Sequence, residues 1–511
     1  MPQAVPSLRR WIVAWFAAWF AAEVVLSFAA YAAPSDDTRN YIHDYLSQPS
    51  IPGVTGAELN ALRTFYSLRG NQPAWTGSAE AESDGQALQA ALAQSGSDGL
   101  TPADYRLVPP VGYGASTSWL DAEKDVLETN AALRYANDLH DGRSWLRELD
   151  DDVEMPAHYF DSVHELAGAL QSRTLPQFLA GLAPTNPQYV QLKALLARYQ
   201  SAIAEGGWRG TFSKHGEGRE ALKHRLSFED DSVASADSLT DALTHYQEHH
   251  GLEATGTLNA ETREALNVPA TQRALEVEAN MERWRWMPRG LEHRYVMVNV
   301  PAATLEVVAD GSRVLTSPVI VGKPEAPTPI LRADAVSVTA NPPWNVPPKI
   351  ARREILPKLR ENPDYLREHN MVWRANGAGI EQRPGGKNAL GHIKLELPNR
   401  FDVYLHDTPS KKLFGRDERD LSHGCVRVEK ILPLASYALT GDDSSVSLLA
   451  SAVATGKTKH FPLSEPLPIY IVYWTVFVDA DGSVEFRPDV YDRDQRLIEA
   501  LANRPQRMTS L

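Results

Sequence analysis

The residues best equipped for chemistry lie in one short run, Leu421-Ser422-His423-Gly424-Cys425-Val426-Arg427-Val428. It holds Cys425, the only cysteine of the chain, directly after a glycine. A thiol of ordinary pKa, about 8.5, is mostly protonated at neutral pH, so sulfur chemistry needs a base and a cation beside it. Upstream, Phe401-Asp402-Val403-Tyr404-Leu405-His406 reads as a strand, and its period of two puts Tyr404 and His406 on one face. The same alternation pairs Cys425 with Arg427 and turns Val426 and Val428 to the other side. One reading makes Cys425 a nucleophile, His406 its base and Arg427 a source of positive field. Gly424 would let a substrate approach the backbone, and the Gly424 and Cys425 amides with the Tyr404 hydroxyl would cradle an oxyanion. A lone cysteine is also often a small buried hydrophobe. A metal site of Cys425, His406 and His423 is a third reading, although no second cysteine and no paired-ligand spacing supports it.

Such residues need a scaffold, and 511 residues with 43% hydrophobic content allow about three packed domains. Lys and Arg total 51 against 65 Asp and Glu, a net charge of -14. A chain this acidic, without a long basic run, is a poor match for nucleic acid. Residues 1–33 carry Arg9-Arg10, an apolar run from Trp11 to Ala22 and the small-residue site Ala30-Tyr31-Ala32. That order is expected of a signal peptide or N-terminal anchor, and membrane contact is expected only through this segment.

Beyond it, residues 34–230 read as a helical scaffold, with Leu59, Leu62, Phe65, Tyr66 and Leu68 on one face. Residues 232–270 form a compact helical unit in which Gly251 and Asn259 punctuate helix ends. A connector helix is expected over 271–293. Residues 294–465 change to a strand period, with a hairpin at Asp310-Gly311. A Pro-bounded basic stretch, 346–385, interrupts this β-rich domain as a helical capping insertion. Residues 466–511 are expected to be a C-terminal extension. The fold class expected is multidomain α+β.

Two resemblances sharpen the reading. Ala242, Leu243, Tyr246, Gln247, Gly251, Leu252, Gly256, Thr262, Ala265 and Leu266 resemble the three-helix peptidoglycan-binding domain, with Thr255 in place of its usual Asp. His406, fifteen residues, then Ser422-His423-Gly424-Cys425 resembles the signature of the L,D-transpeptidases, whose catalytic domain has the YkuD-type β fold. The order of the segments is similar to the large YcbB-like subgroup. The resemblance implies Cys425 as nucleophile, His406 as general base, Tyr404, Gly424 and Cys425 at the oxyanion site, and Ser422, His423 and Arg427 around the substrate. It also implies peptidoglycan stem peptides and the sacculus as partners, 3-3 cross-linking, and a periplasmic or envelope location. No cofactor and no metal is implied, and acylation of Cys425 by carbapenems is. Asp407 or a backbone carbonyl is left as the group that orients His406.

Overall fold

A computed structural model describes residues 36–106, 116–143, 151–156, 160–208, 212, 218–228, 238–377, 379–479 and 482–503. The expected signal or anchor lies outside them. Among the described residues, no helix is long and apolar enough to cross a membrane.

Alternating apolar residues in the C-terminal half build a closed barrel. Strands β2 (Arg294–Asn299), β3 (Thr304–Ala309) and β4 (Ser312–Gly322) form a meander. Its hairpin turns at Asp310 and Gly311, both at positive φ, which is the twist a two-residue turn needs. Then follow β5 (Ile330–Ala340), β9 (Ile393–Glu396), β10 (Leu405–His406), β12 (Val426–Val428) and β13 (Lys459–Val472). The path β5-β13-β2-β3-β4-β12-β10-β9 closes where β9 pairs back onto β5. Closure removes free edges and leaves one side of every strand facing inward. Val298, Leu305, Val319, Leu395, Leu405 and Val426 are buried inside, with Leu434 and Ala435 of the Ile431–Thr440 helix packed on them. Each fully buried Val or Leu contributes about 1.5–3 kcal/mol.

The other segments brace this barrel. The scaffold helices Gly56–Leu68, Ala79–Gln94 and Thr117–His140 share a core. Thr55 and Glu58 close a capping box at the first of them. Leu59, Leu62, Phe65 and Tyr66 are buried as expected, but Leu68 is 51% exposed, because at about 100° per residue it falls on the opposite side of the helix from Leu59. The scaffold also supplies β1 (Val153–Glu154), which pairs with β5 beyond the reach of β9. The connector is a helix, Ala270–Arg285, whose Trp284 stacks on Trp474 at 4.3 Å between ring centroids.

Two boundaries move, and the insertion differs in content. The expected limit at 465/466 falls inside β13, which lies between β5 and β2, so the extension is part of the barrel. Beyond it, β14 (Val476–Val478) and β15 (Val484–Phe486) form a hairpin, and the Arg493–Ala502 helix packs on the connector. The helical unit starts before 232. The Arg219–Leu226 helix shares a core with Leu239–His249 and Ala260–Asn267 through Leu222, Leu226, Leu243, Tyr246 and Leu266. The capping insertion is only partly helical. Its short helical turns, Pro348–Ile350, Ala351–Ile355 and Leu356–Glu361, pack on a small sheet of β6 (Trp344–Asn345), β8 (Ile380–Gln382) and β7 (Met371–Trp373).

Ending the chain after residue 465 is therefore expected to abolish the folded catalytic half. Ending it after residue 503 should leave it intact. Circular dichroism and thermal melting of the two truncations check this; a cooperative β melt in the shorter one would restore the expected boundary.

Candidate active site

Cys425 sits on a turn between β11 (Asp420–Ser422), which pairs with the end of β4, and β12. Gly424 has φ of +110°, a conformation that side chains rarely adopt. The Ser422 hydroxyl accepts the Gly424 N–H at 3.1 Å and donates to the Cys425 carbonyl at 2.6 Å. The Thr328 hydroxyl donates to the Gly424 carbonyl at 2.8 Å and accepts the Gly322 N–H at 2.8 Å. Tyr491, from the C-terminal segment, accepts the Thr328 N–H at 3.2 Å and donates to the Gly322 carbonyl. Gly322 tolerates no side chain here, since a Cβ would lie 2.2 Å from the Ala326 carbonyl oxygen. The Val426 N–H reaches the Tyr404 carbonyl at 3.1 Å, which ties the turn to the base strand.

That base strand is shorter than its sequence suggests. Asn399 accepts the Phe401 and Val403 N–H groups, and Asp402 takes φ of +54°, so extended structure begins only at Leu405. The bent segment brings the Asp402 carbonyl 3.9 Å from the Cys425 sulfur. Tyr404 and His406 still share a face, with ring centroids 5.5 Å apart.

His406 is buried and its Nδ1 lies 2.5 Å from the Asp407 carbonyl. A carbonyl only accepts, so Nδ1 carries the proton and Nε2 the lone pair. The orienting group left open above is thus the backbone. The Asp407 carboxylate turns elsewhere, to the His392 N–H at 2.8 Å and the Lys411 ammonium at 2.6 Å. It passes so close to Gly391 that a Cβ there would meet the carboxylate carbon at 2.4 Å.

Burial, then the Arg427 charge, pushes His406 down to about 3. Burial pushes the Cys425 thiol up against the opposing pull of Tyr404, Lys394 and Arg427. Burial, then the charge at Cys425, keeps Tyr404 a phenol. The resting site therefore pairs a neutral imidazole with a neutral thiol. An imidazolium would have to be desolvated beside two cations, which costs more than the site returns.

Tyr404, His406, Ser422, His423, Cys425 and Arg427 all line one cavity of about 1010 Å³. Its far wall belongs to the cap and carries Lys349, Arg352, Arg353, Trp373 and Arg374. His423 bridges the two walls, its Nε2 2.5 Å from the Glu354 carboxylate. Two expected roles change. The Gly424 N–H is already committed to Ser422, so the glycine contributes its backbone angle rather than a free donor. Ser422 is only 1% exposed with its hydroxyl engaged twice, so that hydroxyl positions the turn. Thr328, Tyr491 and Lys394 were missed. The first two carry no local signal, whereas the alternation of Ile393-Lys394-Leu395-Glu396 does place Lys394 on a polar face.

Residues 60–196 match a family model described as a scaffold domain, and residues 293–448 match the model of the L,D-transpeptidase catalytic domain. A putative L,D-transpeptidase of Haemophilus influenzae is 32% identical over 236 residues, 43% of this chain and 48% of that protein. The chain thus spans about half the length of the curated relative it matches. Among solved structures, an L,D-transpeptidase from Mycobacterium smegmatis aligns at 16% identity over 35% of this chain and 58% of its own, with a TM-score of 0.20. One from Stackebrandtia nassauensis aligns at 13% identity over 52% and 97%, with a TM-score of 0.19.

The low position of His406 has two measurable consequences. Its ring proton resonances should stay flat between pH 5 and 8, with His406→Gln identifying them. Acid should also destabilise the fold. The unfolded histidine binds its proton near 6.5, while the folded one refuses it down to about 3, so stability falls as pH drops below about 6.5. A His406 resonance that titrates near neutrality would overturn the neutral assignment.

Proposed function

We propose that this chain, which carries an L,D-transpeptidase catalytic domain over residues 293–448, cross-links peptidoglycan by acyl transfer through Cys425. The observation that carries the proposal is the shared cavity of Cys425 and a neutral His406 whose Nδ1 is tied to the backbone. A base held neutral, with its lone pair free, takes the thiol proton as sulfur attacks and needs no preformed thiolate.

The reaction runs in two halves. The donor is a tetrapeptide stem ending in a diamino acid and D-Ala. The Cys425 sulfur attacks the carbonyl of the L-centre of the diamino acid, and its proton passes to His406. The developing oxyanion is held by the Tyr404 hydroxyl and the Cys425 amide, because the Gly424 amide is engaged by Ser422. The C–N bond breaks, the proton moves from His406 to the leaving D-Ala nitrogen, and a thioester remains. The side-chain amine of a second stem then attacks, loses a proton to His406, and releases the thiol as a 3-3 cross-link forms. One amide replaces another, so no nucleotide and no cofactor enters.

The surroundings support the same reading. The basic cap wall suits the carboxylates of a stem peptide. Closed over the thioester, the cap would exclude water, which at about 55 M competes with the amine. The three-helix unit would hold the sacculus. It is built around Gln247, fully buried, which donates to Thr257 and Thr262 and accepts the Gly256 N–H. The activity belongs in the periplasm or envelope, where the substrate is. Carbapenems, which present a strained carbonyl, would acylate the same sulfur.

Cys425→Ala is expected to abolish both cross-linking and stem trimming with the fold retained, read by mass spectrometry of products from a defined tetrapeptide. Continued dimer formation would end the proposal. His406→Ala should cost about 10² to 10⁴ in rate. Trimming the cap should lower the ratio of cross-linked dimer to hydrolysed tripeptide while Cys425 still alkylates; an unchanged ratio would make the cap a bystander.

A further inference from the structure

His406 has a cation on each side. Strand β10 lies between β9 and β12, and the registers place His406 opposite Lys394 on one neighbour and opposite Arg427 on the other. Residues directly opposite share a face, so the three side chains form one row across the sheet. All three line the cavity that holds Cys425.

Lys394 is held at two points. Its ammonium lies 4.0 Å from the centroid of the Tyr404 ring, well within cation–π range, and 2.8 Å from the Glu396 carboxylate. Its side chain is 17% exposed, which is low for lysine. An exposed Lys–Glu pair would contribute little. Here the ammonium is partly desolvated, and its second partner is the ring whose hydroxyl interacts with the Cys425 sulfur.

We propose that Lys394 is a positioning residue of the acyl transfer: its ammonium fixes the Tyr404 ring beside the sulfur and, with Arg427, sets the field in which His406 and Cys425 exchange a proton. This rests on Cys425 being the nucleophile and His406 its base. The other groups facing His406 are the Tyr404 phenol, the Cys425 thiol and Asp407, whose carboxylate is engaged by Lys411 and the His392 amide. Lys394 thus adds positive charge from the β9 side, where Glu396 is the anion that tempers it. A cation in this place disfavours imidazolium and favours thiolate together, so it keeps the base free while easing loss of the thiol proton.

The test is the pH profile of Cys425 alkylation by iodoacetamide in the full chain, beside transpeptidation of a tetrapeptide. Cys425→Ala is the control: alkylation without Cys425, or a wild-type profile insensitive to His406→Gln, would undo the parent reading instead. Lys394→Met should move the profile up by about one pH unit, leaving about tenfold less thiolate at a fixed pH. Transpeptidation kcat should fall with KM little changed, and Lys394→Arg should restore most of both. Glu396→Gln removes the tempering anion and should move the profile the opposite way; it also serves if Lys394→Met does not fold. A Lys394→Met or Glu396→Gln profile that overlays the wild type, or two shifts of the same sign, overturns the proposal.

Discussion

The turn at Gly424 is the constraint on which the site depends. A backbone at φ of +110° is stable only when its polar groups are all met, and here they are. Ser422 bridges the Gly424 amide to the Cys425 carbonyl, and Thr328 holds the Gly424 carbonyl. Those bonds fix where the sulfur points. They also consume the Gly424 amide, which leaves it no free donor toward the cavity. The parts are separated by long stretches of sequence: Thr328 precedes β5, Ser422 ends β11, and Tyr491 comes from the C-terminal segment.

Burial sets the electrostatics around that turn. His406 is buried on the outer face of the barrel wall, under the cavity, flanked by Lys394 and Arg427 in cross-strand register. Desolvation and two neighbouring cations act in the same direction on an imidazole, whereas on a thiol they oppose one another. The result is a base kept neutral and a thiol that burial holds protonated and the cations partly release. His406 and Cys425 are thus both neutral at rest, between two cations. The Asp407 carbonyl orients the ring and pulls weakly the other way, while the Asp407 carboxylate is engaged by Lys411 and the His392 amide.

The barrel in turn is not closed by one contiguous segment. The scaffold lends β1 to β5, and the C-terminal half of β13 completes the wall between β5 and β2. The connector helix carries a buried pair, Glu282 and Arg285, that also reaches the scaffold through the Arg143 amide and the Asp98 carbonyl. A buried ion pair whose remaining hydrogen bonds come from the scaffold makes the two segments interdependent, since separating them leaves buried charges short of partners. The cap, by contrast, has its own small core and touches the catalytic turn through His423 and Glu354, both partly exposed.

Local sequence determined what local physics controls. The β meander and its turn at Asp310-Gly311 follow from alternation and left-handed φ; the helix limits near Gly251 and Asn259 follow from capping. The pairing of Tyr404 with His406 and of Cys425 with Arg427 follows from the period of two. Tertiary structure decided the rest. The strand β13 looks like a tail until β2 and β5 are seen on both sides of it. The Gly424 amide looked free because the serine that takes it does so only in the folded turn. Lys394 became part of the site through register, which depends on how β9 and β10 pair and not on either strand alone. The depressed pKa of His406 needed burial, which a list of residues does not carry: the same imidazole in water would titrate near its ordinary value, and the dry wall with cations on both sides takes it down to about 3.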